Sequence, residues 1–290
     1  MRPSGSTIVI ALMVLCTPLV FLADTRHTVR GLVLEVDAAH RRVLVSHEAI
    51  PNLMPAMTMP FELRQSKELA GLAAGMVVEF TLVVGKETSY AEGVRVVRYD
   101  SIEQDPLTAR RLKLFRERRA QQPLAAALTA GESVPDFTLT DHLGRRVSLS
   151  QFRGKVVGIN FIYTTCALPQ FCYRMANHFN VIHRRFRTRA DLVLLTITFD
   201  PARDSPDVLA DYARQWNADP DAWRFLTGPV PDIRAVTSRF GVEFFPEEGL
   251  LSHSLRTAVV DRQGRMVANL EGNQFTAAQL GDLVERTLTR

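Results

Sequence analysis

The chain has 290 residues, 46% of them hydrophobic and 23% charged, with a formal net charge of +4. That composition excludes a disordered tail and leaves room for two domains of ordinary size. The excess charge is local: Arg110–Arg119, RRLKLFRERR, holds six basic residues and one acid, and without it the balance turns slightly negative, so no basic face is spread over the fold for nucleic acid.

At the N-terminus one arginine, Arg2, precedes an apolar run from Ile8 to Ala23. Charge followed by an apolar run is the order of an export signal, and this run is somewhat short of the roughly 20 residues of a full membrane span. Phe21 stands where a cleavage site requires a small residue. Residues 1–24 are therefore read as a signal peptide or a retained membrane anchor. Leu15 before Cys16 is too large for a lipoprotein site. Export places the protein in the periplasm or cell envelope and leaves two thiols in the mature chain, Cys166 and Cys172. In an oxidising compartment such a pair is a disulfide, a redox couple or a metal site.

From Thr28 to about Asp100 apolar and polar residues alternate in short runs, TVRGLVLEVD, RRVLVSH, GMVVEFTLVV and GVRVVRY. The pattern predicts five or so strands and a small all-β domain over 25–100, read as an OB-type barrel. Residues 101–130, polar, basic and alanine-rich, read as a helical linker. Beyond it, over 131–290, the rhythm changes. FTLTDHLGRRVSLSQFRGK predicts a hairpin, VVGINFIY and LVLLTITF buried strands, and Phe171–Arg187 and SPDVLADYARQW helices. RTAVVD with GRMVAN predicts a closing hairpin, and Thr276 with Gln279 a capping box opening the last helix. Strands alternating with helices make an α/β domain of thioredoxin size.

Two clusters carry chemistry. Met57 and Met59 lie two apart in PNLMPAMTMP, Pro51 to Pro60. Prolines hold that segment extended, and alternation then puts both thioethers on one face. His47, at the end of the preceding strand, can join them. Two thioethers and an imidazole suit Cu(I) and suit zinc, calcium or magnesium poorly; the competing reading is methionine filling gaps in a core. The second cluster is NFIYTTCALPQFCYRM, which runs from a buried strand through a loop into a helix. Thiols near a helix N-terminus there become reactive or metal-binding thiolates. Cys166 and Cys172, six apart, cannot share one helical face, so Pro169 implies a loop that folds back. Of the histidines, His178 and His183 are expected in solvent on a basic helix, and His27, His40 and His142 at surface turns. Met175 is expected in the core, and Asp200 at the edge of the cysteine site.

HEAIPNLMPAMTMPF resembles the copper motif of the small periplasmic CusF-like family, an OB-type barrel carrying Cu(I). The resemblance implies that His47, Met57 and Met59 are ligands. Met54 stands where well-known members place a tryptophan over the metal. GESVPDFTLTDHLGRRVSLSQFRGKVVGINFIYTTC, TFDPARDSPDVLADYARQW, WRFLTG and LSHSLRTAVVDRQGRMV resemble the Sco/SenC family of thioredoxin-fold copper proteins. That resemblance implies copper bound by Cys166, Cys172 and the distant His253. Most members space their cysteines C-x3-C with a proline after each; this chain has C-x5-C, with Ala167 and Tyr173 following the two cysteines.

The expectation is an exported copper chaperone, with Cu(I) and Cu(II) as possible cargo. It would serve the copper-bearing subunit of cytochrome c oxidase or another periplasmic cuproprotein. A thiol reductase would keep Cys166 and Cys172 from closing as a redox disulfide. Two soft sites joined by a short linker suggest a relay between them. The alternatives are a thiol–disulfide oxidoreductase, against which stands the lack of C-x-x-C, and a copper-buffering or detoxification protein.

Overall fold

The computed structural model describes residues 24–97, 113, 117, 127–166, 169–247 and 250–290. The expected signal or anchor, most of the expected linker and two residues between the cysteines lie outside these. Among the described residues no helix is long and apolar enough to cross a membrane.

Residues 25–96 form five antiparallel strands: β1 (Thr25–Asp37), β2 (Arg42–His47), β3 (Met57–Glu62), β4 (Val77–Val84) and β5 (Ser89–Val96). Their order across the sheet is β3-β2-β1-β4-β5. Alternation assigns the faces. Val43, Val45 and His47 of β2 pair with Phe61, Met59 and Met57 of β3, and Val43, Val45 and Phe61 enter an apolar core with Val29, Val78 and Phe80. β3 ends the sheet order, which is where Pro60, lacking an N–H, is tolerated. Past its end, Leu63 bridges Ala91 of β5 in parallel, and Arg64 N donates to Ala91 O at 2.9 Å.

The second sheet has seven strands: β6 (Thr138–Asp141), β7 (Arg146–Ser148), β8 (Val156–Ile162), β9 (Leu192–Thr198), β10 (Trp223–Thr227), β13 (Arg256–Val260) and β14 (Met266–Glu271). A separate hairpin, β11 (Phe244–Glu247) with β12 (Leu250–His253), stands outside it. The order is β14-β13-β8-β9-β10-β6-β7, with β8, β9 and β10 parallel. Every residue of β8 and β9 is buried, as continuous apolar runs require of central strands. Among the described residues four α-helices accompany the sheet: α1 (Arg174–Arg185), α2 (Pro206–Gln215), α3 (Val230–Arg239) and α4 (Ala277–Leu288). Ser205 caps α2 by accepting from Val208 N at 3.4 Å. The Thr276–Gln279 capping box opens α4 as expected.

The two sheets pack together. Leu32 and Leu34 of β1, each at most 1% exposed, belong to the core of the second sheet. Around them run polar contacts to α4 and the chain just beyond it: Ser46 and Thr58 hydroxyls donate to Asp282 at 2.7 and 3.1 Å, and Glu35 pairs with Arg286 and Arg290.

Two of the histidines expected at the surface are buried. His142 accepts from Phe225 N at 3.2 Å. His178, 5% exposed, packs on Phe275 with ring centroids 5.4 Å apart; the basic residues around it on α1 hid its membership of the helix's apolar side. Burial, with Arg174 nearby, lowers the His178 pKa to about 4. The unfolded chain binds this proton near pH 6.5 and the folded one does not until about pH 4. Stability is therefore complete above pH 6.5 and falls as pH drops, by about 3 kcal/mol at pH 4. Urea midpoints measured between pH 7 and 5 should decline in the wild type, and His178→Leu should remove much of that decline.

Candidate metal centres

The cysteine cluster is assembled from three pieces of backbone. β8 ends at Ile162, and the chain turns through Tyr163, Thr164 and Thr165 to Cys166. A wide helical turn of π type, Pro169–Tyr173, then carries Cys172 into α1. Such turns recur at functional sites. One thiol in the loop and one in the helical turn resolve the spacing problem posed by six residues. The third piece is the β11–β12 hairpin, which ends on His253. Sequence periodicity missed this hairpin, because each of its strands is four residues long.

The Sγ atoms of Cys166 and Cys172 and a ring nitrogen of His253 all lie within 4.8 Å of one another. His253 Nε2 is 3.7 Å from Cys172 Sγ, and Nδ1 is 3.1 Å from the carbonyl of Ser254. A carbonyl can only accept, so Nδ1 holds the proton and the Nε2 lone pair faces the thiols. Orienting a ligating imidazole through its other nitrogen is the usual second-layer device of metal sites. Rings fix the imidazole from several sides: Phe199 at 4.6 Å, Tyr163 at 5.7 Å and Phe171 at 6.3 Å between centroids. The donor set therefore fits a single soft ion.

Burial favours the thiol over the thiolate at Cys172 until a cation arrives. Cys172 is buried, and burial first, then its hydrogen bond to Cys166, raises its pKa well above the ordinary value. Burial and the neighbouring Cys166 likewise raise that of Tyr163. Metal binding must displace the Cys172 proton, so affinity falls as pH falls. Asp204, fully buried, accepts from Thr164 N at 3.1 Å, from the Thr164 hydroxyl at 2.5 Å and from Thr198. It pins the loop two residues before Cys166. Sequence reasoning singled out Asp200 instead; Asp200 pairs with Arg203 at 3.1 Å. The signal for Asp204 was the second acid of DPARD, four residues on.

The methionine cluster lies on the other sheet. His47 and Met57 are directly paired across β2 and β3, and Met59 is next on the same face. His47 is 1% exposed, Met57 47%, and Met59 lies between, packed partly against the apolar core of the first sheet with Met54. His47 Nδ1 contacts Glu48 O at 2.7 Å, again fixing the proton there. Its Nε2 is buried and has no hydrogen-bond partner among the described residues. A buried, unpaired acceptor is costly unless something binds it, and two thioethers on its face supply the rest of a soft donor set. The packing beneath is tight. A Cβ on Gly31 would fall 2.6 Å from Ser46 O and 2.8 Å from His47 Cα. Gly31→Ala should cost about 1–3 kcal/mol in urea unfolding and weaken Cu(I) binding here by displacing β2.

The family model described as SCO1/SenC matches residues 125–289, more than half of the chain. The chain belongs to the SCO1/SenC family. A second model, described as copper binding periplasmic protein CusF, matches residues 26–91. A SCO2-like protein of Rickettsia typhi is 28% identical over 140 residues, 45% of this chain and 66% of that protein, so the chain spans just under two thirds of its length. A putative copper-binding protein of Stutzerimonas stutzeri is 27% identical over 184 residues, 59% of this chain and 88% of that protein. The crystal structure of a SCO1/SenC family lipoprotein from Bacillus anthracis superposes with a TM-score of 0.50 at 21% identity, covering 56% of this chain and 99% of that one. The second sheet and its helices thus form the thioredoxin-like α/β fold of this family, preceded by a CusF-like β unit.

Proposed function

We propose that this family member is an exported copper chaperone with two copper centres, one in each β-sheet unit. The observation that carries the reading is the convergence of Cys166, Cys172 and His253 within 4.8 Å, with the His253 lone pair turned inward. Copper arriving as Cu(I) would be held by two thiolates and the Nε2 of His253. In the N-terminal unit the ligands would be His47 Nε2 and the thioethers of Met57 and Met59. The parallel bridge from Leu63 to Ala91 brings the end of β3 against β5 and supports an OB-type barrel for residues 25–100. The cargo would go to a respiratory oxidase, at the binuclear copper site of its copper-bearing subunit. Residues 1–24 would act as export signal or membrane tether, residues 101–130 as linker and 131–290 as the delivery domain, and a thiol reductase would keep the cysteine pair open.

The alternative, a thiol–disulfide oxidoreductase, would need a nucleophile that is ionised and open to substrate. Cys172 is neither, and among the described residues the half-buried Cys166 is left as the candidate. To separate the readings, the Cu(I)-loaded protein is mixed with the soluble domain of an oxidase copper subunit, and insulin reduction is assayed in parallel. Copper transfer without reductase turnover is expected; fast turnover with no transfer would reverse the assignment.

A further inference from the structure

The two centres lie in one chain, yet the packing of the two units sets them apart. Ligands and packing residues alternate along the same strands. Ser46 precedes His47, and Thr58 stands between Met57 and Met59. Ser46 and Thr58 share one face with Leu32, which pairs with Ser46 in register, and that face is docked on the C-terminal unit through Asp282. By alternation His47, Met57 and Met59 project from the opposite face.

The docking point is also remote from the cysteines. Asp282 bonds Arg185, at the far end of α1, at 2.7 Å. From Arg185 back to Cys172 the helical stretch runs about 20 Å at 1.5 Å per residue. Direct ligand exchange requires both donor sets to reach one ion, as the three donors within 4.8 Å do in the cysteine centre.

Nor is the docking a loose one. Leu32 and Leu34 are at most 1% exposed in a shared core, and Glu35 pairs at the rim with Arg286 of α4 and with Arg290 beyond its end. The backbone near either end of the linker region is tied in as well. Val97 N donates to Val77 O at 2.8 Å, and Leu128 N donates to Arg239 O at 2.8 Å. Domain motion is the default unless an interface is large and hydrophobic; this one has an apolar centre in which both leucines are fully buried.

We propose that copper does not pass directly between the two centres of one chain, and that exchange between them takes place between two copies of the chain. The inference rests on the reading that both centres hold Cu(I). It replaces the short-linker relay that the sequence suggested. The half-exposed Met57 face of one molecule meets the cysteine centre of another. No electron moves in the exchange. The Cu–thioether and Cu–imidazole bonds of one chain break as Cu–thiolate and Cu–imidazole bonds form in the other, and the thiol protons of Cys166 and Cys172 pass to solvent.

The test uses the full chain and Cu(I) itself. Stoichiometry is first measured for the wild type and for two half-site variants, Cys166→Ser/Cys172→Ser and Met57→Ile/Met59→Ile. Wild-type protein with its cysteine pair oxidised is then loaded with one equivalent of Cu(I). It is reduced with excess phosphine, whose opening of the disulfide is timed separately on metal-free protein. Arrival of copper is read from thiolate-to-copper absorption. The expected rate rises in proportion to protein concentration over a tenfold range, and the mixed half-site variants give the same second-order constant. A concentration-independent rate in the wild type would overturn the proposal, as would absence of transfer between the half-site variants. Failure of either centre to bind copper in the first step would strike the functional reading itself, and this proposal with it.

Discussion

Cys172→Ser is expected to remove copper from the cysteine centre while leaving the fold intact. The side chain is 1% exposed and sits 3.7 Å from His253 Nε2, so serine keeps the volume and loses the soft donor. A hydroxyl at that depth is not deprotonated near neutral pH, and Cu(I) strongly prefers sulfur. Affinity should fall by orders of magnitude, to the level of a two-ligand site. Stability should move by no more than about 1 kcal/mol, because no large cavity opens. Competition against a chromophoric Cu(I) chelator checks the first statement and urea unfolding the second. Cys166→Ser should show the same loss of copper with even less effect on folding, since Cys166 is only half-buried.

Met57→Ile with Met59→Ile should empty the other centre. Isoleucine suits a strand and preserves apolar bulk, so β3 should still pair with β2 through the register His47↔Met57 and Val45↔Met59. What disappears is both thioethers, leaving His47 Nε2 without soft partners. The full chain should then bind copper at the cysteine centre alone. If the methionines only fill space, the double variant should bind as much copper as the wild type.

Much of this fold can be read from periodicity. The runs VVGINFIY and LVLLTITF are continuous and β-branched, and they became the two fully buried central strands. The alternation in RVLVSH placed His47 on the side of Val43 and Val45. The capping box at Thr276 was legible because it is chemistry local to four residues. Short elements were not. The β11–β12 hairpin that delivers His253 has four residues per strand, too few for a period to stand out, so His253 rested on resemblance alone. His178 and His142 were misplaced for a related reason. A histidine among arginines, or beside a turn, carries no local sign of the aromatic ring that will cover it, here Phe275 and Phe225. Asp204 was missed because its partners, Thr164 and Thr198, come from two different strand ends. The docking of the two units was equally invisible. Leu32 and Leu34 read as ordinary barrel residues until the surface they pack against is known.

A chain with two independent soft-metal centres should bind two copper ions. Equilibrium titration of the reduced, full-length protein with Cu(I), against a chelator of known affinity, tests it most directly. Two equivalents should bind to the wild type, one to Cys172→Ser, one to Met57→Ile/Met59→Ile, and none tightly to the chain combining all three changes. A single equivalent in the wild type that survives either set of substitutions would mean that the two donor sets are not separate copper centres.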